Sequence, residues 1–113
     1  MAFVLNVADL NSQSIEAELD DIVYYIILNW NQSGGYWTMS IRNSAYRTLI
    51  NGISVSANYP LTWQFRYSDM PPGELIAASD HYRSGPIPRD GFSSGQYQLI
   101  YYPEQEVRII NAV

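Results

Sequence analysis

Apolar and polar positions along this chain alternate in short runs, and the dominant period is two. Residues 14–19 place Ile15, Ala17 and Leu19 on one side and Glu16 and Glu18 on the other. That alternation predicts a half-exposed strand. Residues 36–42 repeat it, with Trp37, Met39 and Ile41 opposite Thr38, Ser40 and Arg42. Between them, residues 22–30 are Val, Tyr, Ile and Leu almost throughout, which predicts a strand covered on both faces. Asp20-Asp21 reads as the turn before this run and Asn31-Gln32-Ser33-Gly34-Gly35 as the hairpin after it. Asn and Gly accept the positive φ angles that tight connections require.

The rest of the chain carries the same signal with more interruptions. Residues 3–7 predict a first strand and residues 9–14 a polar loop. Asn43-Ser44-Ala45 predicts a turn, residues 46–50 a short strand, Asn51-Gly52 a second hairpin connection, and residues 53–56 the return strand. Asn58-Tyr59-Pro60 breaks the pattern, and residues 61–67 alternate again through Leu61, Trp63, Phe65 and Tyr67. Met70-Pro71-Pro72-Gly73 cannot sit in a central strand, because proline donates nothing to a ladder. Residues 74–79 and 97–102 predict further strands, and residues 107–110 an edge strand. Residues 80–96 form the longest stretch without periodicity, and such stretches are usually functional or mobile. No window of ten residues reads as a helix. The expected fold is all-β, a small antiparallel β-barrel or β-sandwich of about 7–9 short strands; barrel and sandwich present the same alternation. A chain of 113 residues has room for a single domain over 1–113, with a core at 3–102 and a C-terminal extension at 103–113.

Composition changes this picture at the surface. Hydrophobic residues make up 47% and charged residues 15%, against about 25% charged in ordinary domains. There is no lysine, and there are ten tyrosines. A free monomer normally keeps a charged surface, whereas Tyr and Arg are favoured and Lys depleted where subunits meet. The net charge is −5 and the six arginines are scattered at 42, 47, 66, 83, 89 and 108, so no basic footprint for nucleic acid is expected. With no cysteine there is no disulfide, thiol nucleophile or Cys-ligated metal site. The first residues lack the basic and apolar regions of a signal peptide. The longest apolar run, residues 22–28, is far short of the roughly 20 residues a membrane helix needs.

Candidate chemistry is sparse. His81 is the single histidine, with Asp80 beside it and Asp90 further on. A Ser-His-Asp set with Ser79 or Ser84 is formally open, but no Gly-x-Ser-x-Gly elbow and no paired-histidine spacing is present. An exposed loop residue explains His81 more simply. Glu16 and Glu18 read as a solvated strand face, and Asp20-Asp21 lacks the pattern of a calcium loop. Trp30, Trp37 and Trp63 read as core. The tyrosines on outward faces, Tyr36 and Tyr59 among them, suit protein contact or a sugar platform. Met70-Pro71-Pro72-Gly73-Glu74 reads as a rigid turn or as a preformed loop that docks on a partner, since a pre-set backbone loses little entropy on binding.

The order of these features carries a resemblance. A hairpin ends in Gly34-Gly35 with Trp37, followed by Leu49-Ile50, Gly52-Ile53, Tyr59-Pro60-Leu61, Pro71-Pro72-Gly73-Glu74-Leu75 and Leu99-Ile100-Tyr101-Tyr102. Over residues 3–102 this resembles the cyanophage-type baseplate plug family of contractile-tailed bacteriophages. The pattern transfers onto Trp37, Gly52, Leu61, Gly73, Glu74 and Tyr101 as fold positions, and no catalytic residue transfers. The resemblance implies a non-enzymatic, all-β structural protein of the virion, at the tail baseplate, assembled in the host cytoplasm. It implies partners in the baseplate hub, the central spike and other tail proteins, with a homo-oligomer expected and a trimer favoured. No cofactor, metal, nucleic acid or membrane enters. The residues expected to meet partners are Met70, Pro71, Pro72 and Gly73 in the turn, and Arg83, Arg89, Asp90 and Phe92 in the long loop. Arginine suits this role because its guanidinium pairs bidentately with carboxylates. The other function expected is a carbohydrate- or peptide-binding β module for host-surface recognition.

Overall fold

The structure, a computed structural model, describes residues 2–62, 70–79 and 87–105. Among the described residues seven strands form two antiparallel sheets. β1 is Phe3–Leu5, β2 Ser12–Leu19, β3 Ile22–Asn31, β4 Tyr36–Arg42, β5 Thr48–Ser54, β6 Glu74–Ser79 and β7 Tyr97–Tyr102. One sheet is the meander β2-β3-β4-β5 and the other has the order β1-β7-β6. Two separate sheets sharing one core make the fold sandwich-like rather than a closed barrel.

The meander follows its turns. Leu19 pairs with Ile22, so β2 and β3 are joined by Asp20 and Asp21 alone, with φ of 51° and 68°. Positive φ at both central residues suits the right-handed twist of the flanking strands. At the β3–β4 connection Asn31 accepts from the Gly34 N–H through its side chain and from the Gly35 N–H through its carbonyl. Gly35 takes a φ of 69° there. The predicted double coverage of residues 22–30 gives way to alternation. Tyr24, Ile26 and Leu28 are buried, while Val23, Tyr25 and Ile27 are half-buried on the outer face. Large side chains on both faces read as full burial in sequence, but no second layer among the described residues covers the outer face.

Asn51-Gly52 is not a hairpin. Ile50 pairs with Ile41 and Ile53 with Met39, so β5 carries one extra residue against β4. A second irregularity lies between the Ile41 and Arg42 pairings. Gly52 has a φ of 67°, its N–H donates to the Ser40 hydroxyl, and that hydroxyl donates to Asn51 Oδ1. The same dipeptide that would close a hairpin makes a bulge instead, because a left-handed glycine serves either purpose. Three element bounds also differ from expectation. Tyr46 belongs to the turn before β5, β1 stops at Leu5, and β2 starts at Ser12.

After β5 the chain changes sheets. The Val55 N–H still donates to the Trp37 carbonyl of β4, but the Asn58 N–H donates to Ala77 and the Leu61 N–H to Leu75. Residues 57–61 therefore lie along the outer edge of β6, with bridges from Ala57 to Ala77 and from Pro60 to Ile76. Of the predicted strand 61–67, Leu61 and Thr62 are described in a turn, and 63–67 lie outside the described residues. The predicted edge strand 107–110 also lies outside them. The core combines Leu19, Tyr24, Ile26, Leu28, Trp37, Met39 and Ile41 from the meander with Leu75, Ala77, Leu99 and Tyr101 from the other sheet.

Candidate partner interface

Few of the expected contact residues turn out to be free surface. In the 70–73 turn Met70, Pro71 and Gly73 are buried and Pro72 is half-buried. The Gly73 N–H donates to the Tyr101 hydroxyl at 2.8 Å. A Cβ on Gly73 would run into the Tyr102 carbonyl oxygen and the Tyr101 ring, so only glycine fits. The Tyr101 hydroxyl in turn donates to Asp20 Oδ2 at 2.6 Å, which also accepts from the Glu104 N–H at 3.0 Å. One phenol thus ties the β2–β3 turn to β7 and to the 70–73 turn. Burial and the neighbouring Asp20 carboxylate push the Tyr101 hydroxyl well above the usual tyrosine range. Next to it, Glu74 is buried, and its Oε1 accepts from the Thr62 N–H, the Thr62 hydroxyl and the Leu75 N–H. A buried carboxylate is tolerated when it is hydrogen-bonded in this way.

The described part of the long loop, residues 87–96, is anchored by buried Ile87 and Phe92 and exposed at 93–96. Ile87 is fully buried, and the Pro88 carbonyl accepts from Trp37 Nε1 and from the Gly91 N–H. The Phe92 ring stands edge-on to Trp37 with centroids 5.8 Å apart. Phe92 therefore occupies the core in this chain. Arg89 donates from Nε to Asn11 Oδ1 and from Nη1 to Asp9 Oδ1, and its guanidinium lies 5.6 Å from the centre of the Trp37 ring. Asp90 is exposed, and its backbone carbonyl holds the Ser94 N–H. Arg83, His81, Trp63 and Tyr67 lie outside the described residues. Of the expected contact residues that are described, Pro72, Arg89 and Asp90 keep accessible surface, and Met70, Pro71, Gly73 and Phe92 hold them from below.

The other candidates are placed plainly. Glu16 and Glu18 are exposed on β2, opposite Tyr25 and Val23. Trp37 is core, and Trp30 leans edge-on against it while donating to Gln32. Among the described residues no group of three His, Asp or Glu side chains is gathered to hold a metal. No helix among them is long and apolar enough to cross a membrane.

Two surface features have no clear mark in the sequence. Tyr46 sits at a φ of 62°, where bulky side chains are outliers. Asn43 holds that turn by accepting from the Ala45 and Arg47 N–H groups. The Tyr46 ring lies against Tyr25 and under the Arg42 guanidinium. The second feature is the outer edge of β1, where Phe3 and Val4 are exposed. In sequence this is only an apolar run, and that β1 pairs on one side alone among the described residues follows from the strand order.

The family described as cyanophage baseplate Pam3 plug gp18 matches residues 2–104 of this chain. The chain belongs to that baseplate plug family. Its role is accordingly structural, in the tail baseplate, among other baseplate and tail proteins. No curated protein matches the chain. The match takes in both sheets and both anchored turns of this chain.

Proposed function

We propose that this plug protein closes the distal end of the tail tube and bridges the baseplate hub and the central spike. It acts as one domain within a homo-oligomer, a trimer being favoured, and assembles in the host cytoplasm before it is carried in the virion. The observation that carries this reading is the family match over residues 2–104. The geometry supports a protein that works through surfaces. Among the described residues the buried Glu74 carboxylate and Tyr101 hydroxyl hold turns, and the two anchored turns leave Pro72, Asp90 and part of Arg89 accessible. Arg83 joins them in the proposal as a second guanidinium anchor. Turns fixed in advance lose little entropy on docking. A photocrosslinking residue placed at position 72 or 90 in phage particles should yield adducts with the hub or the spike. Adducts formed only with sheath or tube subunits would reject the bridging role.

A further inference from the structure

The outer face of the meander carries a row in which charge changes sign from end to end. Residues directly opposite on antiparallel strands share a face. Glu16 of β2 stands opposite Tyr25 of β3, and Tyr25 opposite Arg42 of β4. The row therefore reads carboxylate, phenol, guanidinium. Glu18 lies two residues along β2 on the same face, and Arg47 lies exposed in the turn that follows Arg42. Val23 and Ile27 flank Tyr25 along β3, so an apolar strip separates the acidic side from the basic side. With strands about 4.8 Å apart, the backbones of Glu16 and Arg42 stand roughly 10 Å from each other across the sheet. Among the described residues no ion pair joins Glu16 or Glu18 to either arginine.

The basic end of the row is held in place. Arg42 Nη1 donates to the Tyr46 carbonyl at 3.1 Å, and its guanidinium lies 4.5 Å from the centre of the Tyr46 ring. Tyr46 stands edge-on to Tyr25 with centroids 5.1 Å apart, and it is 49% exposed. It keeps a φ of 62° to reach this position, which a bulky residue does only where its surroundings hold it. A guanidinium fixed in this way gives up little entropy when it pairs with a carboxylate. Tyr and Arg are also the residues that carry binding energy where proteins meet. The charge of the face limits what fits it: a cation opposite the glutamates and a carboxylate opposite the arginines, on either side of an apolar strip. A second copy of this chain meets both requirements, because a row that runs from negative to positive is complementary to its own reverse.

We propose that two copies of this chain meet through the Glu16–Tyr25–Arg42 face, with Glu16 and Glu18 of one against Arg42 and Arg47 of the other. This surface supplies the contact of the proposed homo-oligomer and rests on that reading. The test is sedimentation of the isolated chain over a series of concentrations, with Glu16→Arg/Glu18→Arg as the variant. Both glutamates are exposed, so the variant should keep its thermal midpoint within about 4 °C of wild type. Wild type should self-associate. The variant should do so at least tenfold more weakly, since like charges then face each other. Adding Arg42→Glu and Arg47→Glu to the same chain reverses the row and should return self-association to within about threefold of wild type. A fourfold variant that keeps its thermal midpoint but stays weak would overturn the charge pairing. Equal self-association of wild type and Glu16→Arg/Glu18→Arg would overturn this surface and leave the homo-oligomer standing. A wild-type chain that stays monomeric at every concentration would overturn the homo-oligomer and this contact with it.

Discussion

The two sheets are built on opposite plans. In β2-β3-β4-β5 every strand pairs with its neighbour in sequence, across turns of a few residues. In β1-β7-β6 the middle strand comes last, and Phe3 pairs with Tyr101. Turn chemistry sets register in the first sheet, because a two-residue connection such as Asp20-Asp21 leaves no slack. No such turn joins the strands of the second. Its register rests on side chains that reach across the sandwich or between turns: Tyr101 to Asp20 and Gly73, Glu74 to Thr62, and Trp37 to the Pro88 carbonyl. The difference shows that the β1-β7-β6 sheet depends on polar and aromatic anchors where the meander depends on its loops.

Substitutions can break that contrast in graded steps. The largest loss should come from Trp37→Ala, which removes both the packing on Phe92 and the bond to the Pro88 carbonyl, and so the meander's main hold on the 87–97 loop. Truncating a buried tryptophan costs about 3–5 kcal/mol, to be measured by urea denaturation. Glu74→Ala should follow at about 2–3 kcal/mol, since it leaves three donors without their acceptor, two of them backbone N–H groups. Glu74→Gln keeps the oxygen and should lose less.

Tyr101→Phe should cost about 1–2 kcal/mol, because the Gly73 N–H and Asp20 lose the hydroxyl between them. It also has a pH signature. The folded state holds the Tyr101 proton well above the ordinary value of 10.0, mainly by burial and then by the bond to Asp20. The unfolded chain then releases a proton that the folded chain keeps, so stability is fully present below pH 10 and declines above it. The decline contributed by this one group approaches about 1.4 kcal/mol per pH unit. Chemical denaturation from pH 9 to 11 should show a shallower decline in Tyr101→Phe. The smallest effect belongs to the meander itself. Gly52→Ala should cost about 1 kcal/mol, because the Cβ meets open space and the strain of φ 67° is local. Its thermal midpoint should fall by roughly 4–8 °C. A loss as large as that of Trp37→Ala would mean that the β5 bulge supports the whole sandwich, and the contrast between the sheets would fail.

Legibility in the sequence follows the same divide. Strands β4, β6 and β7 match their predicted bounds, because each alternates strictly or is bounded by Pro and Gly. The bulge at Asn51-Gly52 was hidden, since a left-handed glycine announces a change of direction but not its size. The crossing of residues 57–61 onto β6 could not be read either, because Asn58-Tyr59-Pro60 signals only an interruption. At the candidate interface, Pro and Gly around Met70 and Phe92 suggested exposed loops. Those loops are pulled inward by Tyr101 and Trp37, which are distant in sequence. Outward Pro72 and Asp90 had no mark that set them apart from their buried neighbours.

The central place of β7 also sets a clock. On a ribosome the meander, residues 12–54, can pair as soon as it emerges, whereas β1 must wait until its partners Leu99, Ile100 and Tyr101 have been made. Synthesis runs at about 5–20 residues per second. For the seconds in between, Phe3 and Val4 stand in the cell with no strand beside them, next to other nascent copies in the same condition. A strand that waits this long is the point at which premature association between copies would start.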